Sequence, residues 1–163
     1  MRRGLGGGWV MLIRRDRAMV AVTIMLDVAF HAGRTGTVSA SDLAERLGLA
    51  RRGMEPLLQA LSRAELLDSV RGPRGGYRLG RPRRDILLSE VVAVAVALGN
   101  AEPSDSGDGP GGDLQAKVVD PVWDELDRVA RAALQTLSLD DLIKRAGQAG
   151  MRRPSEEPIS FAI

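Results

Sequence analysis

The feature that most constrains the fold is a short segment rich in glycine and proline, Gly72-Pro73-Arg74-Gly75-Gly76. A run of this kind interrupts helices and predicts a tight turn. Segments of strand length lie on either side, at residues 66–70 and 77–79, and they can form the two arms of a hairpin. The chain is therefore predicted to contain a two-stranded hairpin near its middle.

Helical patterns dominate the rest of the chain. Aromatic residues make up only 3% of the sequence, so the core must be built from aliphatic side chains, which favours helices over a β-sandwich. Apolar residues recur at helical spacing over residues 17–32, and Gly33 follows as a helix-ending residue. A second helix is predicted from the capping residue Ser39 to Leu47, with Gly48 ending it.

A third helix is predicted over residues 51–64, directly before the hairpin. Pro56 lies inside this segment, and a proline beyond the first turn costs a helix about 3 kcal/mol. We therefore expect the regular helix to begin near Arg52 or Gly53.

The segment after the hairpin contains further helices. A fourth helix is predicted over residues 89–98, and residues 100–113, rich in glycine, proline, serine and aspartate, predict a mobile loop. A longer helix follows Pro121, and its apolar residues recur every three or four positions, as in a coiled-coil seam. The predicted seam residues are Val122, Leu126, Val129, Ala133 and Leu137. Ser138 is expected to cap a short last helix, with Asp141 in its first turn.

The charge of the chain is unevenly distributed. Residues 1–99 carry 16 arginines and nine acidic residues, a net charge of +7, whereas residues 100–163 have a net charge of −5. Nine arginines and three acidic residues lie between residues 51 and 84, which concentrates a charge of +6 on the third helix and the hairpin. Such a basic segment indicates a polyanion, such as a nucleic acid, as the partner.

Three short helices followed by a hairpin are the element order of a winged helix-turn-helix, a mainly α fold. In that fold one helix enters the major groove of DNA and the hairpin forms a wing. Arg51 and Arg52 lie at the start of the predicted reading helix, where guanidinium groups can meet phosphate or guanine. Arg71, Arg74 and Arg78 lie on the wing, and arginines suit a narrow minor groove.

Several stretches of the chain match one known family. They are residues 21–29, 42–49, 54–55, 122–126 and 137–142, and above all the wing, Ser69-Val70-Arg71-Gly72-Pro73-Arg74-Gly75-Gly76-Tyr77-Arg78-Leu79. On these stretches, which together span about residues 11–146, the chain resembles the IscR-like (Rrf2) winged helix-turn-helix regulators. The wing motif is the most specific part of the resemblance.

The resemblance implies a transcription regulator that binds double-stranded DNA. It implies a homodimer held together by the long C-terminal helix, a pseudo-palindromic operator, a base-facing residue at Glu55 and a wing in the minor groove. The candidate DNA contacts are Arg51, Arg52, Glu55, Gln59, Arg71, Arg74, Gly75 and Arg78. The candidate dimerisation residues are those of the seam defined above.

Departures from the family pattern are informative. Members that sense iron, nitric oxide or redox state place three cysteines in the loop before the long helix, and this chain has none. A cluster held by cysteines is therefore excluded, and no cofactor or metal is expected. The positions of the family's usual tyrosine and glutamine in the reading helix hold Gly53 and Pro56, which alters the reading helix and its base preference. The usual glycine before the wing is Glu65, which is costly if that position needs positive φ.

Other classes of protein find little support in the sequence. The only histidine is His31, interpreted as a helix-end residue, and no catalytic motif is present, so no enzyme is predicted. No apolar run is long enough to span a membrane, no signal peptide is recognised, and a cytoplasmic location is expected. Whether Met1 or Met11 is the true start stays open.

The predicted organisation has five parts, and two alternatives to a DNA-binding regulator remain. The parts are a flexible extension at 1–10, a DNA-binding domain at 11–99, a mobile loop at 100–113, a dimerisation helix with a packing helix at 114–146, and a disordered tail at 147–163. One alternative is a regulatory protein-interaction dimer with weak DNA binding. The other is a switch that responds to a small molecule bound between the first, fourth and long helices, so an unidentified small-molecule or protein effector remains open.

Overall fold

The computed structural model describes residues 15–33, 35–101 and 112–154. Within these residues the fold has six α-helices and one two-stranded antiparallel sheet. The elements are α1 (Arg15–His31), α2 (Ala40–Leu47), α3 (Arg51–Arg63), β1 (Leu67–Val70), β2 (Gly76–Leu79), α4 (Leu88–Ala101), α5 (Asp120–Gln135) and α6 (Leu139–Gln148). A 3-10 turn (Arg83–Asp85) precedes α4, and a π-helical turn (Gln115–Val119) leads into α5. The predicted mainly α winged fold is confirmed.

Helix α1 lies at the centre of the core. It packs against α4, α6 and β2, and most of its buried residues recur every three or four positions along one face of the helix. The side chains of Ala21, Ile24, Met25 and Val28 are fully buried. Burial of each large aliphatic side chain stabilises the fold by about 1.5–3 kcal/mol, so α1 is the element on which the others depend for their apolar contacts.

The ends of α2 are formed as the sequence predicts. The Ser39 hydroxyl accepts a hydrogen bond of 3.0 Å from the amide of Asp42, and hydrogen bonding to Ser39 lowers the pKa of the Asp42 carboxyl. At the other end Gly48 adopts a left-handed conformation with φ of 63°, and its amide donates to the carbonyls of Ala44 and Glu45. Both caps are local interactions, and each satisfies backbone groups that the end of a helix leaves open.

Helix α3 begins at Arg51, one or two residues earlier than predicted. Pro56 has no amide hydrogen and cannot bond to the carbonyl of Arg52, yet the helix continues through it. The amide of Gly53 closes the first turn on the carbonyl of Ala50 at 2.9 Å. Arg52 is exposed, so water can solvate the carbonyl that Pro56 leaves without a partner.

The wing is an antiparallel hairpin whose register pairs Leu67 with Leu79 and Val70 with Gly76. Strand β2 also bonds on its other side, where Tyr77 and Val38 exchange two backbone hydrogen bonds of 2.8 and 2.9 Å. A Cβ atom on Gly76 would lie 2.5 Å from the carbonyl oxygen of Val38. The wing is therefore tied to the segment that leads into α2.

The π-helical turn before α5 has a local cause. Pro121 cannot donate a hydrogen bond to the carbonyl of Lys117, four residues earlier. Instead the amide of Asp120 reaches back five residues to the carbonyl of Gln115, and the Gln115 side-chain amide donates to the Asp120 carboxylate at 2.9 Å. The long helix thus begins with a wide turn and becomes regular at Asp120.

Two helix ends in the C-terminal part of the chain differ from the prediction. Helix α4 continues to Ala101 rather than ending at residue 98. The tail predicted as disordered from residue 147 is helical to Gln148, because a capping box between Ser138 and Asp141 and the burial of Ile143 stabilise α6. The predicted extension at residues 1–10 lies outside the described residues, as do residues 102–111 of the loop predicted at 100–113 and the tail from 155. No helix in the described part of the chain is long and apolar enough to span a bilayer.

A backbone strain at Glu65 generates the first testable prediction. Glu65 has a φ of 58°, and no other non-glycine residue in the described ranges has a positive φ. A left-handed conformation costs a residue with a Cβ roughly 1–2 kcal/mol, and the greater freedom of glycine in the unfolded chain returns part of that difference. We expect Glu65→Gly to raise the free energy of unfolding by about 1 kcal/mol, measured by urea denaturation.

The matched control for this prediction is Glu65→Ala. It removes the same carboxylate but keeps the Cβ atom, so it should leave the backbone strain in place. Equal stability of the alanine and glycine variants would contradict the strain and assign any gain to loss of charge.

Candidate nucleic-acid interface

The exposed face of α3 carries the predicted reading residues. At about 100° per residue, Arg51, Arg52, Glu55 and Gln59 fall within one arc of roughly 100°, and all four are exposed. The opposite face is buried in the core through Met54, Leu57, Leu58 and Leu61. The core therefore orients α3 so that its predicted reading residues face solvent together.

The N-terminus of α3 is open to an anion. Its N-cap residue, Ala50, has no side-chain hydrogen bond to the first amides, and the first turn contains no acidic residue. Arg51 and Arg52 add two positive charges at this end of the helix. Exposed amides, the helix dipole and two guanidinium groups together form a site suited to a phosphate.

An ion pair between a buried carboxylate and a partly exposed guanidinium fixes the helix-turn-helix to the core. The Arg46 guanidinium on α2 donates to both carboxylate oxygens of Asp27 on α1, at 3.0 Å from Nε and 2.6 Å from Nη2. The Asp27 side chain is only 8% exposed, so water solvates it poorly and the pair is stronger than one at the surface. His31 lies on the same patch, with Nδ1 3.0 Å from the Asp27 carbonyl oxygen, which agrees with its interpretation as a helix-end residue.

The turn of the wing presents two exposed arginines. Arg71 and Arg74 both face solvent, and the Thr37 hydroxyl donates a 2.8 Å hydrogen bond to the carbonyl of Arg74. Thr37 precedes α2, so this bond fixes the turn relative to the helix-turn-helix. A Cβ atom on Gly75 would lie 2.5 Å from the carbonyl oxygen of Val70, so the hairpin itself requires this glycine, whatever contact it makes with DNA.

Arg78, the third predicted wing contact, is engaged within the hairpin. It lies directly opposite Asp68 in the strand register, and its Nε and Nη2 atoms donate to one carboxylate oxygen of Asp68 at 2.8 and 2.6 Å. Both side chains are about half exposed. The structure therefore separates Arg78 from Arg71 and Arg74, because part of its charge is already neutralised.

Arg63 belongs to the reading face but was not among the predicted contacts. It lies one turn after Gln59, and its guanidinium donates a long hydrogen bond of 3.4 Å to the Gln59 side chain. The two residues line a gap of about 280 Å³ between α3 and the wing, together with Ser69 and Tyr77. Helical periodicity continued to the end of α3 would have identified Arg63.

The predicted seam on α5 is largely exposed in the single chain. Val122, Leu126 and Val129 have exposed fractions of 48, 47 and 63%, and Ala133 is exposed beside them. Leu114 and Val118 extend the same apolar stripe towards the N-terminus, with exposed fractions of 79 and 55%. An exposed apolar stripe of this length is typical of an interaction surface.

Leu137 does not belong to this stripe. Helix α5 ends at Gln135, and the Thr136 hydroxyl donates to the carbonyl of Ala133 at 2.8 Å, which closes the last turn. Leu137 lies in the connection to α6, where it is half-buried and its carbonyl accepts a hydrogen bond from the amide of Leu88. Leu137 therefore lies outside the helix on which it was predicted, and its part in a dimer stays a prediction.

The opposite face of α5 packs towards α4 and contains a buried charge. Asp127 is 4% exposed and pairs with Arg131, one turn further along the helix, at 2.6 Å. Helix α5 therefore has two distinct faces, an inner one with Asp127 and Trp123 and an outer one with the apolar stripe. The packing of α5 against its own chain does not use the predicted seam.

The residues present do not fit an iron–sulfur cluster. Such clusters are held by cysteine thiolates, and the sequence has no cysteine and a single histidine. Within residues 15–33, 35–101 and 112–154 no group of three or more histidine, aspartate or glutamate side chains is arranged to hold a metal ion. The donor chemistry of this chain therefore offers no place for a thiolate-bound cofactor.

A cleft of about 320 Å³ opens between α1, α3 and α4. Val20, Gly53, Leu57 and Leu98 line it, so it lies next to the start of the reading helix. The small-molecule switch was predicted between the first, fourth and long helices, and no residue of α5 lines this cleft. Binding of a small molecule stays a prediction.

Comparison with known sequences identifies relatives over most of the chain. A sequence profile described as "Rrf2: Iron-dependent Transcriptional regulator" matches residues 14–145. The HTH-type transcriptional regulator IscR of Xenorhabdus nematophila is 36% identical over 130 residues, which cover 79% of this chain and 77% of that protein. The same regulator of Photorhabdus laumondii is 35% identical over 129 residues, covering 78% of this chain and 77% of that protein.

Comparison with solved structures agrees with the comparison of sequences. The structure of T. potens IscR has a TM-score of 0.64 at 32% identity, with 85% of this chain and 91% of that chain covered. The structure of CymR (YrzC), the global cysteine regulator of B. subtilis, has a TM-score of 0.59 at 24% identity, with 79% of this chain and 94% of that chain covered. At that identity the second likeness shows a common fold alone.

The Asp27–Arg46 pair generates a prediction about stability. Arg46→Ala leaves a largely buried carboxylate without its guanidinium partner, so we expect the free energy of unfolding to fall by about 2 kcal/mol. The double variant Asp27→Asn with Arg46→Ala should lose less than the sum of the two single variants. Urea denaturation of the four proteins measures this coupling.

Arg128→Ala is the control for this cycle. Arg128 is exposed on α5, and its removal is expected to change stability by less than about 0.5 kcal/mol. Equal effects of Arg46→Ala and Arg128→Ala, or strict additivity in the cycle, would show that the pair does not fix the helix-turn-helix to α1.

Proposed function

Because the chain belongs to the Rrf2 family of transcriptional regulators, we propose that it binds a pseudo-palindromic operator as a homodimer and regulates transcription there. Its relatives are regulators rather than enzymes. The observation that carries the proposal is the common solvent-facing arc of Arg51, Arg52, Glu55 and Gln59 beside a wing with two exposed arginines. A regulator works where the chromosome is, so we propose a cytoplasmic location.

Helix α3 enters the major groove in this proposal. Arg51 and Arg52 at its start contact phosphate or guanine, since a guanidinium presents two parallel donors that match either group. Glu55 and Gln59 follow on the same exposed face, and their side chains can bond to the exocyclic amino groups of bases. Arg63 supports Gln59 from the next turn. We expect the base preference of α3 to differ from that of its relatives, because Gly53 and Pro56 replace larger or hydrogen-bonding residues of the family pattern.

The wing enters the minor groove through its turn. Arg71 and Arg74 supply the free positive charge there, and a narrow minor groove has the negative potential that attracts it. Arg78 contributes less to DNA binding, because Asp68 already holds its guanidinium. The Thr37 bond to the Arg74 carbonyl keeps the turn in place.

The outer stripe of α5 forms the dimer interface in this proposal. An apolar stripe from Leu114 to Val129 is exposed in the single chain, and a second copy can bury it by antiparallel or parallel helix packing. The two DNA-binding domains of the dimer, related by a two-fold axis, then match the two half-sites of a palindrome. The regulator does this without a cysteine-held cluster, so its signal differs from that of iron-dependent relatives.

Salt dependence of DNA binding tests the assigned contacts. Operator fragments are selected from the parent genome, and their dissociation constants are measured by fluorescence anisotropy over a range of salt concentrations. We expect Arg51→Ala with Arg52→Ala, and Arg71→Ala with Arg74→Ala, each to reduce the slope of log K against log salt by about 0.9 per lost phosphate contact. Arg78→Ala should have a smaller effect than Arg74→Ala.

Arg128→Ala is the matched control, since it removes one exposed arginine outside the proposed interface. Its salt slope should equal that of the unmodified protein. Operator affinity that is insensitive to the Arg71 and Arg74 changes would remove the wing from the proposal, and insensitivity to the Arg51 and Arg52 changes would remove the reading helix.

The dimer is tested by placing charge on the α5 stripe. Leu126→Glu with Val129→Glu introduces two like charges at the proposed interface, so we expect the dimer to dissociate into monomers in sedimentation velocity experiments. Arg128→Glu changes the charge of the same helix on a face about 100° away from Val129 and should remain dimeric. A monomeric unmodified chain at micromolar concentration, or a dimer that survives the double change, would refute this interface.

A further inference from the structure

A wide groove lined by arginines opens at the base of the wing, away from the start of the reading helix and from the wing turn. Arg78, the weaker of the predicted wing contacts, lies in its wall. Its volume is about 1040 Å³. The charged residues that line it are Arg78, Arg81, Arg83, Arg84, Arg153 and Asp140. We call it the arginine groove. Five guanidinium groups and one carboxylate give its walls a net charge of +4.

The groove is remote from the start of the reading helix. Its walls include Ala29 and Gly33 at the end of α1, whereas the first residues of α3 lie beside Arg17 and Val20 near the beginning of α1. Ala29 lies 12 positions after Arg17, which is about 18 Å along a helix. An anion in the groove therefore does not occupy the site that the first turn of α3 offers.

Ion pairs hold three of the arginines in fixed positions without exhausting their donors. Arg81 donates to Glu90 at 2.8 Å, Arg83 donates through Nε to Asp140, and Arg78 is bound by Asp68. Each guanidinium has five N–H donors, so donors remain for a ligand. The Nε atom of Arg81 is buried and has no hydrogen-bond partner among the described residues.

Two further arginines of the groove, Arg84 and Arg153, form no strong ion pair within the described residues. The Arg84 side chain is 80% exposed and lies 3.8 Å from Asp85, a weak contact. Arg153 is half-buried and forms no ion pair within the described residues. Asp140 is itself held by two cations, because Lys144 pairs with it at 2.9 Å in addition to Arg83, and these contacts lower its pKa. The negative charge of Asp140, the one acidic residue that lines the groove, is therefore neutralised by these two partners.

We propose that the arginine groove is a phosphate-binding site, separate from the reading helix and the wing turn. Arginine forks match the geometry of phosphate oxygens, and the groove has the size of a site for a nucleotide-sized ligand or a short stretch of nucleic-acid backbone. The phosphate comes either from DNA that flanks the operator or from a free phosphorylated compound. The inference goes beyond the proposed operator contacts. Its flanking-DNA source rests on the proposed DNA binding, whereas its free phosphorylated ligand does not.

The test uses the full chain and a pair of variants with matched charge. Arg84→Ala with Arg153→Ala removes the two arginines that carry no strong ion pair, so folding should be preserved, and thermal unfolding verifies this. Arg128→Ala with Arg145→Ala removes the same charge from exposed positions on α5 and α6. Both proteins are compared with the unmodified chain in two kinds of binding experiment.

In the first experiment sodium pyrophosphate is titrated by calorimetry. A free phosphorylated ligand predicts that pyrophosphate binds the unmodified chain and the control equally, and that the groove variant binds it at least about tenfold more weakly, a loss of roughly 1.4 kcal/mol. In the second, a duplex that extends about one helical turn beyond the dimer is bound over a range of salt. Flanking DNA predicts that the groove variant alone loses about 1.8 in salt slope, two phosphate contacts at about 0.9 each.

The two experiments together show where the phosphate comes from, or that the groove binds none. Loss in the pyrophosphate titration alone supports a free phosphorylated compound, and loss in salt slope, with or without it, supports the DNA backbone. If the groove variant matches the control in both experiments, the proposal is overturned. Failure of the operator proposal shows separately, in the Arg51 and Arg52 variants, because these do not touch the groove.

Discussion

The burial of α1 is the constraint on which the rest of the structure depends. Because α4, α6 and β2 all pack on it, α1 joins the helical core to the wing, and through the Asp27–Arg46 pair it also holds α2. The reading helix is oriented by the same core, since one face of α3 is buried in it. The reading face and the wing are thus positioned relative to each other by one packed unit rather than by a flexible connection.

Features set by neighbouring residues could be predicted from the sequence. The caps at Ser39, Gly48 and Ser138 involve partners within a few residues, and the turn at Gly75 follows from its composition. Features set by distant contacts could not. The extension of α6 to Gln148 depends on the burial of its apolar face. Leu137 lies beyond the end of α5, where its carbonyl accepts a hydrogen bond from Leu88, a residue far away in sequence.

The candidate interface shows the same division. The shared arc of Arg51, Arg52 and Glu55 follows from helical periodicity alone. The engagement of Arg78 by Asp68 depends on the strand register, and a shift of one residue would have placed the two side chains on opposite faces of the hairpin. Glu65 is intermediate, since the unusual residue was visible in the sequence and its positive φ could be established only from the backbone.

One question is how a signal reaches the DNA-binding surface of a chain that has no cysteine to hold an iron–sulfur cluster. The arginine groove bears on that question. In this chain the walls of the groove come from the end of α1, from β2, from the turn before α4, from the first turn of α6 and from Arg153 after α6. Phosphate bound between Arg78 or Arg81 and Arg153 therefore contacts the wing and the C-terminal part of the chain at once. The wing turn is attached to the helix-turn-helix through the bond from Thr37 to the Arg74 carbonyl, and both belong to one packed unit. A change of charge at the base of the wing would therefore act on the wing and the reading helix together, so such a ligand would alter minor-groove contacts and base recognition by α3 at the same time.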